Sequence, residues 1–175
     1  VGFAIVDHAI LRRDAGPVQP VTPAVPLRMR RIAADDLERL SQAGPVDPEE
    51  FRLRLARGDW GYLALDGETP LGYCWVQFTG EHDVSQAGRK TTIKPGENIL
   101  YNSRTAPRAQ GKRVYLALMG YVLEDLFAAG HASVWCYVNS DNAPAIRVME
   151  KSGFRFFEDW KALHVSYWVI PFGGA

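Results

Sequence analysis

Four cationic residues, with no acidic residue among them, lie between positions 104 and 113. They are Arg104, Arg108, Lys112 and Arg113. A segment with helical periodicity begins directly after them at Val114, and the first N–H groups of a helix can hold phosphate groups. Gly111 lets the backbone of this turn approach a bulky anion. The pattern predicts a site for a phosphorylated ligand, although a plain polar turn between a strand and a helix has the same residue types.

The elements that must position this turn form a β-turn-α-β-α unit. The first strand is predicted over 99–105 and stops at Pro107, and the helix after it is predicted over 114–129 and ends at Gly130. A second strand is predicted over 133–138 and a second helix over 142–151. Because a helix connects the two strands, we expect them to pair in parallel within one sheet.

The motifs of this unit resemble those of the GCN5-related N-acetyltransferase (GNAT) family. The matching pieces are Thr105-Ala106-Pro107, Gln110-Gly111-Lys112, Asn142-x-x-Ala145 and Glu150-Lys151-Ser152-Gly153-Phe154, in the family's order and spacing. Arg113 stands where the family usually has Gly, and Met149 stands where it often has Tyr. The resemblance implies an α/β fold whose mixed, mainly antiparallel central sheet is flanked by helices and splayed between its fourth and fifth strands.

The resemblance also implies acetyl-CoA as cosubstrate, without a metal. The residues that it implies for cofactor binding are Arg104, Thr105, Ala106, Gln110, Gly111, Lys112, Arg113, Val114, Tyr115, Asn142, Ala145 and Met149. In the family the diphosphate lies on the turn, and pantetheine pairs with the preceding strand, where a bulge leaves backbone groups unpaired. The Arg113 guanidinium is expected to contact a phosphate, with a solvated side chain as the alternative. Asn142 is also suited to capping the second helix, which can be its whole role.

Acetyl transfer to an amine also needs groups that carry protons. An amine with a pKa of about 10 must lose a proton before it attacks. Tyr101, or Glu97 at the start of its strand, can relay that proton, the alternatives being a packed ring and an exposed acid. Because Met149 has no proton to donate, Tyr137 and Ser140 are candidates to protonate the leaving thiolate, unless water does so. Tyr101 and Tyr137 are the predicted catalytic residues.

The rest of the chain completes an α/β pattern. Residues 1–26 are predicted to form an N-terminal arm or extra strand, around Phe3-Ala4-Ile5-Val6, and a proline-rich linker. Residues 27–175 are predicted to form the acyltransferase domain, with further strands over 27–30, 60–65, 71–78, 154–160 and 163–170 and helices over 35–43 and 47–58. Residues 79–96 are predicted to be a long polar connection that either covers the acceptor or is disordered.

Composition and charge argue against several classes of protein. The chain has 175 residues, 47% of them hydrophobic and 23% charged, which is typical of one soluble globular domain. Its formal net charge of zero argues against nucleic-acid or membrane-surface binding. No apolar run reaches the about 18–20 residues of a transmembrane helix. No secretory leader is visible, so we expect a cytoplasmic protein, and Val1 at the start suggests a domain excised from a longer chain.

Cysteine and histidine usage points away from a metal or disulfide site. Cys74 and Cys136 both lie in apolar, strand-like runs and are expected to be buried free thiols. The four histidines show no spacing typical of metal ligands.

Together these observations predict an enzyme that transfers an acetyl group from acetyl-CoA to an amine of a small molecule or peptide. Two other functions stay open. One is a catalytically weak or inactive acyl-CoA-binding module, which Arg113 and Met149 favour. The other is an interaction domain that keeps only the fold. The sequence does not identify the acceptor or the acyl chain length, and the implied fold is compatible with a homodimer.

Overall fold

The computed structural model describes residues 3–165 and 168–173. Within this range, strands β1 to β10 span Phe3–Asp14, Arg28–Arg31, Trp60–Asp66, Thr69–Gln77, Glu81–Val84, Arg89–Thr92, Ile99–Thr105, Ser133–Asn139, Arg155–Val165 and Trp168–Phe172. Helices α1 to α3 span Pro48–Arg57, Val114–Ala128 and Ala143–Lys151. None of the described helices is long and apolar enough to cross a membrane.

Eight of the strands form one sheet in the order β10-β9-β1-β8-β7-β4-β3-β2. The parallel neighbours in this order are β7 and β8, and all other neighbouring strands are antiparallel. α2 connects β7 to β8, as a parallel pair requires. The predicted α/β fold with a mixed, mainly antiparallel sheet is therefore confirmed.

The parallel pairing of β7 with β8 is short. Only Ile99 with Trp135 and Leu100 with Cys136 are in register, whereas the pairing of β7 with β4 continues as far as Thr105. Residues 101–105 of β7 thus have a neighbouring strand on one side, and a cleft opens on the other side.

The N-terminal strand is longer and more central than its apolar pattern indicated. β1 pairs with β8 along one edge and with β9 along the other. The proline-rich segment after it lies against α2, and the N–H of Ala24 donates to the carbonyl oxygen of Lys112 at 3.0 Å. The predicted extra strand therefore belongs to the main sheet, and the segment after it contacts the turn before α2.

α1 forms where the sequence predicted a helix. The carboxylate of Asp47 accepts hydrogen bonds from the N–H groups of Glu49 and Glu50, at 3.0 and 3.3 Å. The helix ends at Gly58, whose φ of 93° suits glycine. A cap of this kind typically contributes about 1 kcal/mol to stability.

The helix predicted over 35–43 is replaced by two 3₁₀ turns, Ala34–Asp36 and Arg39–Gln42. The carboxylate of Asp36 is buried and accepts hydrogen bonds from the guanidinium of Arg30 and the N–H of Ala33. These bonds tie the first turn to β2.

Residues 79–96, predicted as a polar connection, contain an ordered hairpin. β5 and β6 pair in antiparallel around a 3₁₀ turn, Ser85–Ala87. Val84 and Ala87 are buried against Ile10 of β1 and Trp160 of β9. Full burial of a valine side chain contributes about 1.5–3 kcal/mol, which is enough to hold a short hairpin on the sheet.

β9 is one continuous strand where the sequence pattern predicted a break near residues 161 and 162. Ala162 pairs with Val6 on one side and with Pro171 on the other. Because β1 pairs with β9 from Arg155 to Val165 and β10 pairs with it from Lys161 to Val165, the strand continues through residues 161 and 162.

α1 and α2 pack on opposite faces of the sheet. Phe51 of α1 contacts the rings of Tyr73 and Trp75 of β4, with centroids 5.6 and 5.0 Å apart. On the other face, the hydroxyl of Tyr62 donates to Asp125 of α2 at 2.8 Å. The alternation of side chains along β3 and β4 produces these two faces.

Candidate active site

The cleft beside β7 has a volume of about 1410 Å³. Ligand pockets are typically about 300–1,000 Å³, so this cleft has room for a large ligand and a second molecule. We call one part the turn side; it is lined by Gln110, Gly111, Arg113, Val114, Tyr115, Asn142, Ala145 and Met149. We call the other the hairpin side; it is lined by Arg54, Arg57, Gln77, His82, Asp83, Tyr101 and Tyr137.

A β-bulge in β7 separates the two sides. Tyr101 lies opposite Trp75 and Arg104 lies opposite Tyr73, so Asn102 and Ser103 together face one residue of β4. Asn102 has a φ of 48°, an uncommon value for a residue other than glycine. The predicted bulge is therefore present, and it disrupts the hydrogen-bond ladder where β7 has no neighbour on the cleft side.

Two left-handed residues shape the turn between β7 and α2. Gly111 has a φ of 73° and Arg113 has a φ of 60°. No side chain caps the N-terminus of α2 within the described part of the chain. Arg113, which stands where the family usually has Gly, thus adopts the backbone conformation that glycine adopts most easily, at a cost of roughly 1–2 kcal/mol.

Most of the residues predicted to bind the cofactor line the cleft. Those that do are Arg104, Thr105, Gln110, Gly111, Arg113, Val114, Tyr115, Asn142, Ala145 and Met149. The side chain of Lys112 is exposed but does not line the cleft. Arg108 is engaged elsewhere, since it donates to the carbonyl oxygens of Gln42 and Pro70 at 3.2 and 2.8 Å.

Ala106 corrects one expectation about the strand. It is fully buried, and its N–H donates to the carbonyl oxygen of Leu71 at 2.8 Å. This N–H has no capacity left for a ligand, so the groups of β7 available to pantetheine lie nearer the bulge than the sequence indicated.

The helices behind the turn side hold Asn142 and Met149. The side-chain oxygen of Asn142 accepts from the N–H of Ala145 at 3.2 Å, so it caps α3 as predicted. Met149 is buried, and its Sδ lies 3.6 Å from the hydroxyl of Tyr115. Burial raises the pKa of Tyr115. A phenol from α2 therefore lies beside the position where the family often has Tyr.

On the hairpin side, Tyr101 belongs to a network of charged groups, of which Arg54 and Asp59 are buried. Its hydroxyl donates to the carboxylate of Asp59, which also binds Arg57. The guanidinium of Arg54 lies over the Tyr101 ring, 4.8 Å from its centroid. Burial, and then the hydrogen bond to Asp59, raises the pKa of Tyr101. The hydroxyl is thus fixed as a donor to Asp59, which favours a structural role over the predicted proton relay.

Tyr137 lines the hairpin side and contacts a histidine that the sequence analysis did not single out. The Nε2 atom of His82 lies 3.1 Å from the Tyr137 hydroxyl, and its Nδ1 lies 2.8 Å from Oε1 of Gln77. Burial raises the pKa of Tyr137 to about 12. In β5 the buried residues His82 and Val84 alternate with the exposed acids Glu81 and Asp83. This alternation of acidic residues is visible in the sequence and could have marked His82 as inward-facing.

The other two proton-carrying candidates lie away from the cleft. Glu97 forms an ion pair with Arg12, with 3.7 Å between the charged atoms, and Ser140 donates its N–H to the carbonyl oxygen of Asp7. Neither residue lines the cleft. The structure therefore does not bring Glu97 or Ser140 together with Tyr101 and Tyr137.

Both cysteines are buried free thiols, as the sequence indicated, and burial raises the pKa of Cys74 and of Cys136. Among the described residues, no cluster of three or more His, Cys, Asp or Glu side chains is arranged to hold a metal ion.

Comparison with known proteins identifies the family. The model of the Acetyltransferase (GNAT) family matches residues 27–154. The chain belongs to the GNAT family. The match covers the turn, the bulged strand and α1 to α3, while β1, β9 and β10 lie outside it.

Two curated relatives illustrate the similarity in sequence. The mycothiol acetyltransferase of Brachybacterium faecium is 31% identical over 165 residues, which cover 82% of this chain and 47% of that protein. The mycothiol acetyltransferase of Actinosynnema mirum is 35% identical over 127 residues, covering 69% of this chain and 37% of that protein. The chain thus spans about half or less of the length of these curated relatives.

Solved GNAT structures share the fold. A GCN5-related N-acetyltransferase from Sphaerobacter thermophilus matches with a TM-score of 0.68 and 17% identity, over 93% of this chain and 52% of that chain. A GCN5-related N-acetyltransferase from Kribbella flavida matches with a TM-score of 0.63 and 17% identity, over 99% of this chain and 61% of that chain. At this level of identity the likeness shows the fold alone.

Proposed function

We propose that this protein is an N-acetyltransferase that transfers an acetyl group from acetyl-CoA to an amine of a small molecule or peptide. The observation that supports this most is the bulge at Asn102 and Ser103, which lies beside the left-handed turn at the start of α2. Together they offer an extended ligand both unpaired strand backbone and an anion site within one cleft.

We assign the cofactor to the turn side. The diphosphate lies on the N–H groups of Gly111 and of residues 113–115, with the guanidinium of Arg113 as a phosphate contact. The N–H of Lys112 is not among them, because it donates to the carbonyl oxygen of Ala109 at 3.3 Å. Pantetheine follows β7 from Arg104 towards the bulge. An N–H group at the bulge polarises the thioester carbonyl, a contribution that is typically worth about 100-fold or more in rate.

The leaving thiolate is placed next to Tyr115 in this arrangement. A buried phenol with a raised pKa is a weak acid, so we assign Tyr115 a hydrogen bond to the departing sulfur rather than complete proton transfer. The thiol of CoA has a pKa near that of free Cys, about 8.5, so its thiolate leaves without full protonation.

We assign the acceptor amine to the hairpin side. Glu81 and Asp83 line the cleft there, and carboxylates attract an amine that arrives as a cation. Two relatives are named as mycothiol acetyltransferases, so unacetylated mycothiol is the first acceptor to test. Other small-molecule amines and peptide N-termini follow in the same assay.

The experiment has two parts. Calorimetric titration with acetyl-CoA should give saturable binding, and release of the CoA thiol should then depend on an added amine and give an N-acetylated product. Binding without amine-dependent thiol release would identify an acyl-CoA-binding module instead. Absence of binding to both acetyl-CoA and CoA would leave an interaction domain with the fold alone.

A further inference from the structure

A chain of buried hydrogen bonds runs from the backbone of the hairpin to the cleft. The side-chain Nε2 of Gln77 donates to the carbonyl oxygens of Thr79 and Glu81, at 2.8 and 3.0 Å. Two carbonyl acceptors require the amide nitrogen at this position, because an amide oxygen there would face two other oxygens. The Gln77 side chain therefore has one orientation, with its Oε1 directed at His82.

This orientation fixes the tautomer of His82. Oε1 of Gln77 accepts hydrogen bonds only, and it lies 2.8 Å from Nδ1, so Nδ1 carries the proton of the neutral ring. Nε2 then has a free electron pair, 3.1 Å from the hydroxyl of Tyr137. The Tyr137 hydroxyl donates to Nε2, and its own lone pairs remain available to a molecule in the cleft. Gln77 and His82 are 1% and 5% exposed, so water does not compete for these bonds.

We propose that His82 is the terminal proton acceptor of the acetyl transfer and that Tyr137 relays the proton to it. This inference rests on the proposed function. The amine first releases one proton to water as it leaves bulk solvent for the cleft, and its lone pair then forms a bond to the thioester carbonyl carbon. The remaining N–H bond of the cationic adduct breaks as its proton moves to the Tyr137 oxygen. The phenol proton moves at the same time to Nε2 of His82. The N–H electron pair stays on nitrogen, and the C–S bond breaks with its electrons leaving on sulfur.

Tyr137 ends this step neutral, and His82 becomes an imidazolium. Because His82 is shielded from water, its proton returns through the Tyr137 hydroxyl to water in the cleft. A phenol with a raised pKa resists ionisation, so a relay that never leaves a charge on Tyr137 suits it better than release of its proton to the thiolate. Tyr137 would touch the amine and is the catalytic residue of the pair, while Gln77 is a positioning residue.

Charged and titratable groups from several elements face His82. They are Arg54 and Arg57 of α1, Asp59 after it, Asp83 of β5, Tyr101 of β7 and Tyr137 of β8. Burial lowers the pKa of His82 to about 4, and Arg57 adds to this while Asp59 and Asp83 oppose it. The imidazole is therefore neutral before the reaction. A base of this strength acts on the proton that becomes acidic once the amine has attacked, and it returns that proton readily to water.

A purely structural role is the alternative, because the same bonds tie the hairpin to the sheet. A double-mutant cycle distinguishes the two. With acetyl-CoA and an amine found by the thiol-release screen, His82→Gln and Tyr137→Phe should each lower kcat about 100-fold and leave the acetyl-CoA Kd unchanged. The double variant should be no slower than either single variant, since both act on one proton path.

Two matched controls lie away from the cleft. His164→Gln removes a histidine that bonds to the carbonyl oxygen of Gln86, and Tyr121→Phe removes a hydroxyl from a ring that packs on Tyr62. Both control variants should keep the wild-type kcat. They show whether loss of an imidazole or a phenol from this fold lowers the rate by itself.

A solvent proton inventory provides a readout that folding does not affect. For the wild type, a plot of kcat against the deuterium fraction of the solvent should be curved, as expected when two protons move in the same step. For Tyr137→Phe the same plot should be linear. Full turnover by Tyr137→Phe, or additive losses in the double variant, would overturn the relay and leave the proposed function intact. Absence of thiol release by the wild type with every amine would overturn both.

Discussion

The turn side and the hairpin side of the cleft are built by different means. On the turn side, ligand-binding capacity lies mainly in the backbone: the bulge at Asn102 and Ser103, the left-handed residues Gly111 and Arg113, and the uncapped start of α2. On the hairpin side it lies in mostly buried side chains that form two hydrogen-bonded groups. One group joins Arg57, Asp59 and Tyr101, and the other joins Gln77, His82 and Tyr137.

This difference predicts how each side responds to mutation. A site made of backbone depends on φ and ψ, so it tolerates many side chains and fails where the conformation becomes inaccessible. A site made of interlocked side chains depends on residue identity, because removal of one partner leaves another buried and unsatisfied. The four predictions that follow test this contrast, from the largest expected effect to the smallest.

Gly111→Val should have the largest effect on the turn side. At a φ of 73° a β-branched residue is strained, and its side chain would obstruct the approach of the diphosphate. We expect acetyl-CoA affinity, measured by calorimetry, to fall about 100-fold, or close to 3 kcal/mol. Gly130→Val is the matched control, since Gly130 also has a positive φ, 87°, and open space around it. Equal affinities in the two folded variants would place the diphosphate elsewhere.

His82 should make the stability of the hairpin side sensitive to acid. Its pKa is about 4 in the folded protein because burial disfavours the imidazolium, whereas in the unfolded chain it is about 6.5. The unfolded chain therefore takes up the proton first as pH falls. The free energy of unfolding should decrease by roughly 3 kcal/mol between pH of about 6.5 and about 4. Urea unfolding should show a smaller decrease for His82→Gln than for the wild type or His164→Gln, and identical decreases would contradict the assignment.

Tyr115→Phe should lower turnover moderately and leave acetyl-CoA affinity intact. A hydrogen bond to a charged group contributes about 1.5–3 kcal/mol, so a loss of at least about tenfold in kcat is expected when the hydroxyl beside the departing sulfur is removed. Met149→Leu is the companion variant and should be nearly neutral, since the two side chains have similar volumes. A large loss of turnover in Met149→Leu, with binding retained, would show that the thioether itself contributes.

Arg113→Gly should affect stability and binding in opposite directions. Release of left-handed strain outweighs the added backbone entropy of glycine, so the free energy of unfolding should rise by about 1 kcal/mol or less. Loss of the guanidinium should weaken acetyl-CoA binding about fivefold and reduce its salt dependence. Arg113→Asn, which also tolerates this φ, separates charge from backbone effects. Unchanged affinity in both variants would mean that Arg113 is only solvated.

The turn side could be predicted from the sequence because its parts are close together in the chain. Strand, turn, helix and cap follow one another from Ile99 to Met149, and their motifs depend on local backbone requirements such as the glycine of the turn. The exceptions concern hydrogen-bond partners from distant segments. The N–H of Ala106 is engaged by Leu71, and Arg108 binds two carbonyl groups of other loops.

The hairpin side could not be predicted in the same way. Asp59, His82, Tyr101 and Tyr137 come from four separate segments, and pairing between them appears only when the sheet and the hairpin have formed. Each residue alone has an ordinary structural interpretation. The apolar contacts of Val84 and Ala87 with the sheet, which order the hairpin, are likewise formed between segments far apart in the sequence.

The position of β1 limits how far this protein can be truncated from its N-terminus. The match to the GNAT family model begins at residue 27, yet β1 is the strand that joins β8 to β9. We propose that residues 3–14 belong to the same folding unit as the rest. A fragment that begins at residue 27 would expose two bare strand edges, each able to pair with another molecule. Such a fragment should precipitate on expression even though it retains every residue that we assign to acetyl-CoA binding.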